Sequence, residues 1–282
     1  MVPRAANIFR GRRVFLVPMR TERKGLSLDY AKVQEEILQF IRKTVAGAGA
    51  EGAVIGLSGG IDSSVVGALL VSALGKDRVI GVLMPASHTP KEDNDDARRL
   101  AKRWGIRTFE VGIDPIFSAF EKSLPKEGDA KIAHANVKAR IRMIINYYFA
   151  NTHSMLVAGT GDKSEDEIGF FTKFGDGGVD FLPIAHLYKT QVRELGAHLG
   201  LPERMVNKPS SPQLWPGHRA VDEIPLDYDQ LDPVLAGLLD KKLTPAEVSR
   251  RTGVDLKVVE DVVRRHRNSA HKRAYPPVIG GW

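Results

Sequence analysis

The hydrophobic positions of the first half of the chain alternate between helical and strand-like spacing. Apolar side chains recur every three or four positions over residues 28–46, which predicts an amphipathic helix. Short apolar runs predict strands at 53–57, 78–84, 108–111 and 155–158. Intervening helices are predicted at 65–74, 91–104 and 130–149. This alternation predicts an α/β fold, with a doubly wound parallel sheet and flanking helices.

The pattern changes after residue 158. Residues 159–183 are rich in Gly, Asp and Lys and are predicted to form a functional loop, and a helix is expected at 187–199. Residues 208–227 hold four prolines and little periodicity, which is typical of a lid-like binding loop. Short helices are predicted from Tyr228 to Asn268, where Thr244 and Glu247 have the spacing of a helix cap.

This organisation predicts one large domain between two short terminal segments. The domain is expected to span residues 28–275, after a basic arm at 1–27 and before a tail at 276–282. No apolar run reaches the roughly 18 residues that a membrane span needs. We therefore expect no membrane association and a cytoplasmic location.

The net charge of +7 over 282 residues first suggests a nucleic-acid partner. However, residues 1–24 carry seven basic side chains and one acidic one, so +6 of that excess lies in the arm. Residues 25–282 carry 34 basic and 33 acidic side chains and are nearly neutral. The charge distribution therefore does not favour a nucleic-acid partner.

A glycine-rich turn at residues 56–64 joins the first predicted strand to the next helix. Small residues at a helix start let backbone N–H groups approach an anion, so this turn is a candidate phosphate site. It has neither a Walker A motif nor the G-x-G-x-x-G spacing of a dinucleotide fold. Gly56, Ser58 and Gly60 also match the nucleophile elbow of α/β-hydrolases, and a turn without a ligand is a further possibility.

Residues 58–64, Ser-Gly-Gly-Ile-Asp-Ser-Ser, resemble the pyrophosphate loop of the N-type ATP pyrophosphatase superfamily. This superfamily has the adenine nucleotide α-hydrolase-like fold and joins its substrates to AMP with release of pyrophosphate. The motifs at 136–140, 159–165, 169–180, 187–190, 208–211 and 269–273 narrow the resemblance to ammonia-dependent NAD synthetases. The resemblance covers about residues 28–275.

The resemblance implies ATP-dependent amidation of deamido-NAD⁺ to NAD⁺ with free ammonia. The nicotinate carboxylate would attack the α-phosphorus of ATP, and ammonia would then displace AMP from the adenylate. Glutamine-using members carry a fused amidohydrolase domain with a cysteine nucleophile, whereas this chain has no cysteine. We therefore expect dependence on free ammonia.

The same resemblance implies roles for particular residues. ATP would be bound by Gly56, Leu57, Ser58, Gly59, Gly60, Ile61, Asp62, Ser63, Thr160, Lys189 and Ser211. Deamido-NAD⁺ would be bound by Arg140, Lys173, Asp180, His271 and Lys272. Mg²⁺ would be held by Asp62 and Glu165, while Lys189 and Asp176 would be catalytic.

A homodimer is also implied, with ATP, deamido-NAD⁺ and ammonia as the small-molecule substrates. Two other functions would also use the glycine-rich loop to bind ATP, but for a different purpose. One is an ATP pyrophosphatase that acts on a nucleotide or a tRNA base. The other is a regulatory module that binds ATP without turnover, which would make no use of the motifs between residues 136 and 189.

Overall fold

The structure is a computed structural model that describes residues 26–125, 128, 130–209, 215 and 223–279. The predictions that concern the basic arm, Ser211 and most of the segment 208–227 lie outside the described residues.

Four parallel strands form the central sheet, in the order β3-β2-β1-β4. Their bounds are β1 Ala53–Gly56, β2 Val79–Leu83, β3 Arg107–Glu110 and β4 Leu156–Ala158. The chain builds outward from β1 to β3 and then returns to add β4 on the other side of β1. In such sheets the crevice for a ligand opens at the carboxyl ends of the strands, where the direction of building reverses.

Helices cover both faces of the sheet, and its central strands β1 and β2 are buried, whereas the edge strand β3 is largely exposed. The described α-helices before β4 are α1 Tyr30–Gly47, α2 Ile61–Leu74, α3 Lys91–Trp104, α4 Asp114–Lys122 and α5 Lys131–Thr152. Those after β4 are α6 Lys163–Ile168, α7 Lys189–His198, α8 Glu203–Val206, α9 Tyr228–Leu235, α10 Pro245–Thr252 and α11 Leu256–Asn268.

Alternate side chains of β1 belong to different cores, as the pleat of a strand requires. Ala53 and Ile55 pack with α1, α2 and α7, whereas Val54 packs with Ile141 and Ile145 of α5. The helix α2 lies between the sheet and other helices and is buried almost all round, which explains its uniformly apolar sequence.

The last helices pack into a separate apolar cluster that lies against α6 and α7. Leu231 and Val234 of α9 meet Val259 and Val262 of α11 there, beside Tyr188. Thr244 caps α10 as predicted, because its N–H donates to Glu247 Oε2 at 2.8 Å while its hydroxyl accepts from the Glu247 N–H. The predicted short helices of this region are confirmed.

The predicted α/β fold is confirmed, with differences at particular elements. The helix α2 begins at Ile61 instead of 65, because its first turn lies within the glycine- and serine-rich segment. Three helices were not predicted, α4, α6 and α8. None shows a readable period, since α4 buries none of its residues and α6 and α8 are only six and four residues long. No helix within the described part of the chain is both long enough and apolar enough to cross a membrane.

Candidate active site

The glycine-rich turn closes the carboxyl end of β1 onto the start of α2. Ser58 and Ser63 hold it together: the Ser58 N–H donates to Ser63 Oγ at 3.3 Å, and the two hydroxyl oxygens lie 3.1 Å apart. Gly59 has φ +77°, and a Cβ there would overlap the Asp93 carbonyl of α3. Only glycine fits this position, so the backbone of the turn stays open to the cavity above it.

A cluster of four charged side chains lies beside the turn. Lys189, the first residue of α7, is fully buried. Its Nζ lies 2.8 Å from Asp62 Oδ2, 2.6 Å from Asp162 Oδ2 and 2.8 Å from Glu165 Oε1. The three carboxylates come from the start of α2 and the first turn of α6, so the cluster joins elements distant in sequence.

Burial and mutual repulsion dominate the ionisation of this cluster. Burial raises the pKa of Asp162 to about 6, against the lowering effect of Lys189. Burial likewise raises the pKa of Glu165, with a further contribution from Asp162. Burial alone would lower the pKa of Lys189, but the three carboxylates raise it well above its ordinary value. Lys189 therefore remains a cation.

A buried hydrogen-bond network fixes the position of Lys189. Its backbone N–H donates to Ser164 Oγ at 2.9 Å, and that hydroxyl donates to Asp232 Oδ1 at 2.6 Å. The Asp232 carboxylate also accepts from the Thr190 N–H at 2.8 Å. The ring of Tyr228 covers the cluster, with its centroid 5.2 Å from Lys189 Nζ. Helix α9 therefore supports the site, although its residues were not predicted to do so.

The carboxylate cluster has the composition of a magnesium site. One oxygen each from Asp62, Asp162 and Glu165 lie within 4.8 Å of one another. Asp62 Oδ1 is buried and makes no hydrogen bond to the described residues. Three carboxylates against one ammonium leave excess negative charge, and oxygen ligands of this kind suit Mg²⁺. The residues present therefore fit this cation.

Asp162 is the residue of this cluster to which the sequence assigned no role. It lies in the segment Gly161-Asp162-Lys163, and its Oδ1 accepts from the Glu165 N–H at 3.0 Å as the N-cap of α6. An Asp three residues before a Glu is a common start of a helix, and here this pair follows shortly after β4. That spacing could have indicated Asp162 from the sequence.

A cavity of about 470 Å³ opens over the carboxyl ends of the strands. It brings together predicted residues from both sequence clusters. Its lining includes Gly56, Leu57, Ser58, Gly60, Ile61, Asp62, Thr160, Glu165, Asp176 and Lys272. Lys189 lies behind this wall, in contact with Asp62 and Glu165.

Asp176 and Lys272 line the same cavity, from the loop after α6 and from the C-terminal segment. Asp176 Oδ1 accepts from the Thr172 N–H at 2.8 Å. Partial loss of contact with bulk water raises the pKa of this carboxyl. The residue nevertheless remains exposed to the cavity. Lys272 Nζ donates to the carbonyls of Gly169 and Phe171 at 2.8 Å each.

Four of the five residues predicted to bind deamido-NAD⁺ do not line the cavity, and neither do Gly59 and Ser63 of the glycine-rich turn. Three of those four form a chain of contacts: Arg140 Nη2 donates to the Lys173 carbonyl at 3.2 Å, and Lys173 Nζ donates to the His271 carbonyl at 2.6 Å. Asp180 accepts from the Tyr147 hydroxyl at 3.0 Å and from the Val157 N–H at 2.7 Å. Arg140, Lys173 and His271 are thus brought together, while Asp180 ties α5 to β4.

The parallel sheet, the glycine-rich turn and the adjacent carboxylate cluster define the adenine nucleotide α-hydrolase-like class of α/β proteins. Within that class, the chain belongs to the NAD synthase family, whose sequence model matches residues 33–276. The predicted family is confirmed. Membership decides against the α/β-hydrolase elbow and against a turn without a ligand.

Named relatives agree with this assignment. The chain is 46% identical to the NH3-dependent NAD⁺ synthetase of Staphylothermus marinus, over 90% of this chain and 92% of that one. It is 48% identical to the protein of the same name from Hyperthermus butylicus, over 89% and 91% of the two chains.

Solved structures extend the comparison to the fold. The NH3-dependent NAD synthetase of Campylobacter jejuni has a TM-score of 0.76 at 30% identity, covering 89% of this chain and 99% of that one. A structure named as NMN synthetase from Francisella tularensis has a TM-score of 0.78 at 30% identity, with the same coverage.

Proposed function

We propose that the chain forms NAD⁺ from deamido-NAD⁺, ATP and free ammonia, and releases AMP and pyrophosphate. One observation carries this proposal: the glycine-rich turn, Asp62 and Glu165 of the carboxylate cluster, and Asp176 all line a single cavity. The names of the relatives, NH3-dependent NAD⁺ synthetases at 46% and 48% identity, support the same reaction. ATP is a substrate in this reaction.

The phosphates of ATP would lie against residues 56–63. The hydroxyls of Ser58 and Ser63 and the N–H groups at the start of α2 can donate to phosphate oxygens. Thr160 lines the same cavity, and Ser211 is a further proposed ATP contact outside the described residues. Mg²⁺ held by Asp62, Asp162 and Glu165 would offset the negative charge of the triphosphate when bound.

Lys189 is proposed to stabilise the charge that develops at the α-phosphorus during adenylation. A compact ammonium, held by three carboxylates on a backbone that Ser164 fixes, needs no reorganisation as the reaction proceeds. Its burial behind Asp62 and Glu165 excludes water, which strengthens its electrostatic effect. Its network with Asp232 keeps the start of α7 fixed during the reaction.

Asp176 is proposed to orient ammonia and to accept its proton. Its carboxyl faces the cavity, and a raised pKa makes it a stronger base than an ordinary aspartate. The Thr172 N–H donates to Oδ1 of this carboxylate and so holds it in place beside the cavity. Ammonia would then attack the acyl carbon, and AMP would leave.

The dinucleotide is proposed to bind along Arg140, Lys173, Asp180, His271 and Lys272. Lys272 reaches the cavity, while Arg140, Lys173 and His271 form a connected group beside it. Such an arrangement supports a ligand that extends from the reacting centre toward the outer surface of α5 and the C-terminal segment. We also place the reaction in the cytoplasm as part of this proposal.

A homodimer is proposed through the outer face of α4 and α5. Ile144 and Tyr148, one helical turn apart on α5, are 61% and 66% exposed. Ile116 and Phe120 on the neighbouring helix are also exposed. Exposed apolar groups that share a face are typical of interfaces between subunits, and Arg140 precedes Ile144 by one turn on the same helix. A second copy there would lie beside the proposed dinucleotide site.

An assay of NAD⁺ formation tests the reaction directly. The purified chain is supplied with ATP, Mg²⁺ and deamido-NAD⁺, and ammonium is compared with glutamine as the nitrogen donor. We expect NAD⁺, AMP and pyrophosphate in equal amounts with ammonium and little product with glutamine. Absence of NAD⁺ with ammonium would refute the proposal.

The acceptor requires its own comparison, because the Francisella tularensis structure is named as an NMN synthetase. Nicotinate mononucleotide is offered against deamido-NAD⁺ at equal concentration. The proposal requires a higher kcat/KM for the dinucleotide. A nucleotide or RNA that stimulates pyrophosphate release when deamido-NAD⁺ does not would instead favour a different ATP pyrophosphatase.

A further inference from the structure

One cation in the cavity has no assigned role. Arg142 of α5 is partly buried and lines the cavity. Its Nε donates to the Met84 carbonyl, at the end of β2, over 3.3 Å. Within the described part of the chain, its guanidinium makes no ion pair and no other hydrogen bond. Most of its donors are therefore available to a ligand.

The surroundings of Arg142 make an empty guanidinium unfavourable. Burial lowers its pKa to about 10, and the carboxylates of Asp114 and Asp176 act against that lowering. The group therefore stays protonated at neutral pH, as a partly buried cation without a paired carboxylate. The more such a charge is buried, the more it costs unless an anion accompanies it.

Asn146 shows a second unsatisfied group on the same wall. It follows Arg142 by one helical turn and also lines the cavity. Its Oδ1 is buried and has no hydrogen-bond partner among the described residues. Buried polar atoms in proteins nearly always have partners, so this oxygen, one helical turn from the unpaired donors of Arg142, indicates a bound polar molecule.

The position of Arg142 favours one anion among those of the reaction. The ATP phosphates are assigned to the turn at 56–63, on the side of α2. The turn of α5 that carries Arg142 instead packs against the loop of Asp176, because Cβ atoms at Gly175 and Gly178 would lie 3.0 Å from Ala139 Cβ and 3.2 Å from Met143 Cγ. Asp176, which is proposed to meet ammonia at the acyl carbon, also acts on the charge of Arg142. The anionic group that must lie opposite Asp176 before adenylation is the carboxylate of the deamidated dinucleotide.

We propose that Arg142 binds the nicotinate carboxylate of the dinucleotide, and so distinguishes the acid substrate from the amide product. This inference rests on the proposed function. The planar guanidinium can donate two parallel hydrogen bonds to a carboxylate. An amide offers only one oxygen, and its NH2 group would face the N–H donors of Arg142. The substrate is thus held, and the product is released once the charge is gone.

Binding measured without turnover tests this role. Calorimetric titrations of the full chain with deamido-NAD⁺ and with NAD⁺ are compared for the wild type and for Arg142→Met. We expect the variant to bind deamido-NAD⁺ about 10- to 100-fold more weakly, the scale of a lost charge-assisted hydrogen bond. Binding of NAD⁺ is expected to change by less than about 2-fold, since the amide carries no charge.

Two further variants separate binding from structure. Arg142→Lys keeps the charge and should keep part of the preference for the acid, and its result decides the matter if Arg142→Met does not fold. Lys138→Met is the matched control, because Lys138 lies on the same helix but over the Phe117 ring at 4.9 Å, outside the cavity lining. It should leave both affinities unchanged.

Three results would overturn the inference. They are an equal effect of Arg142→Met on acid and amide, no effect on either, and a loss confined to ATP, which would make a phosphate the partner. All three are distinct from failure of the proposed function, which would appear as a wild-type chain that forms no NAD⁺. In turnover assays we also expect KM for deamido-NAD⁺ to rise more than kcat falls, because Arg142 binds a group present before the transition state.

Discussion

Lys189 pairs with all three carboxylates of the cluster. Its substitution is therefore the most direct test of the proposed chemistry. Lys189→Ala and Asp62→Asn are each expected to lower kcat by about 10²-fold or more, the scale for removal of one electrostatic stabiliser. Lys163→Ala is the control, because that neighbouring lysine pairs with Asp240 at 2.6 Å, away from the cluster. Steady-state rates near those of the wild type for Lys189→Ala and Asp62→Asn would contradict the assigned roles.

Asp162 allows the metal to be tested separately from catalysis. Asp162→Asn removes one of three negative charges from the cluster, so Mg²⁺ affinity should fall by about 10-fold or more. Calorimetric titration with Mg²⁺ alone measures this without ATP. Asp166→Asn, on the same helix but paired with no cluster member, should bind Mg²⁺ as the wild type does. Equal affinity of Asp162→Asn and wild type would place the cation elsewhere.

Sequence motifs could predict those residues whose chemistry is local. Asp62 and Glu165 stand in short, recognisable segments, and the structure brings them within one cluster. Arg142, by contrast, resembles any arginine on a long helix. Its guanidinium donors are available because no carboxylate pairs with them in the described structure. Which groups surround Arg142 is decided by segments distant in sequence, so it is known only after folding.

At the scale of elements, the junction between α6 and the C-terminal segment controls the position of Lys272. Gly169 ends α6 with φ +69°, and a Cβ there would overlap the Ser269 side chain. Its carbonyl also accepts from Lys272 Nζ. The packing of the last residues against the site therefore depends on a position that has no side chain.

Gly169→Ala should thus cost more stability than a glycine substitution at an ordinary helix end. We expect a loss of about 2–4 kcal/mol in the free energy of unfolding, from the left-handed backbone and the overlap together. Gly253 is the matched control, since it ends α10 with φ +75° and no atom lies within 4 Å of its Cβ position. Gly253→Ala should cost about 1 kcal/mol. Urea unfolding of both variants measures the difference, and equal losses would contradict the overlap.

Elements with a regular buried pattern were predictable, and those without one were not. The predicted range 91–104 coincides with α3, because its buried positions follow the helical period and Gly105 ends it. The helix α6 was not predicted, because six residues are too few to show a helical period and its polar sequence is typical of a loop. This helix, with Asp162 as its N-cap, nevertheless carries Glu165 to the site.

For the whole molecule, the proposed dimer makes a prediction about mass in solution. Ile144→Glu places a charge on the exposed face of α5. Burying that charge in an interface is costly, so light scattering should show a shift from twice the mass of one chain toward a single chain. Leu256→Glu, at the exposed start of α11, is the control and should leave the mass unchanged. A wild-type protein with the mass of one chain would contradict the dimer.

The Lys189 cluster also has a consequence for how the protein folds and opens. Its members come from α2, α6 and α7, so Lys189 and Asp62 are 127 positions apart. Detaching α7 alone would leave three acids repelling one another at short range and remove the cation that offsets them. Partial opening at this place is therefore disfavoured, and the backbone amide of Lys189 should exchange its hydrogen only when the whole sheet unfolds. The Lys189 cluster would then form, and be lost, only together with the folded sheet.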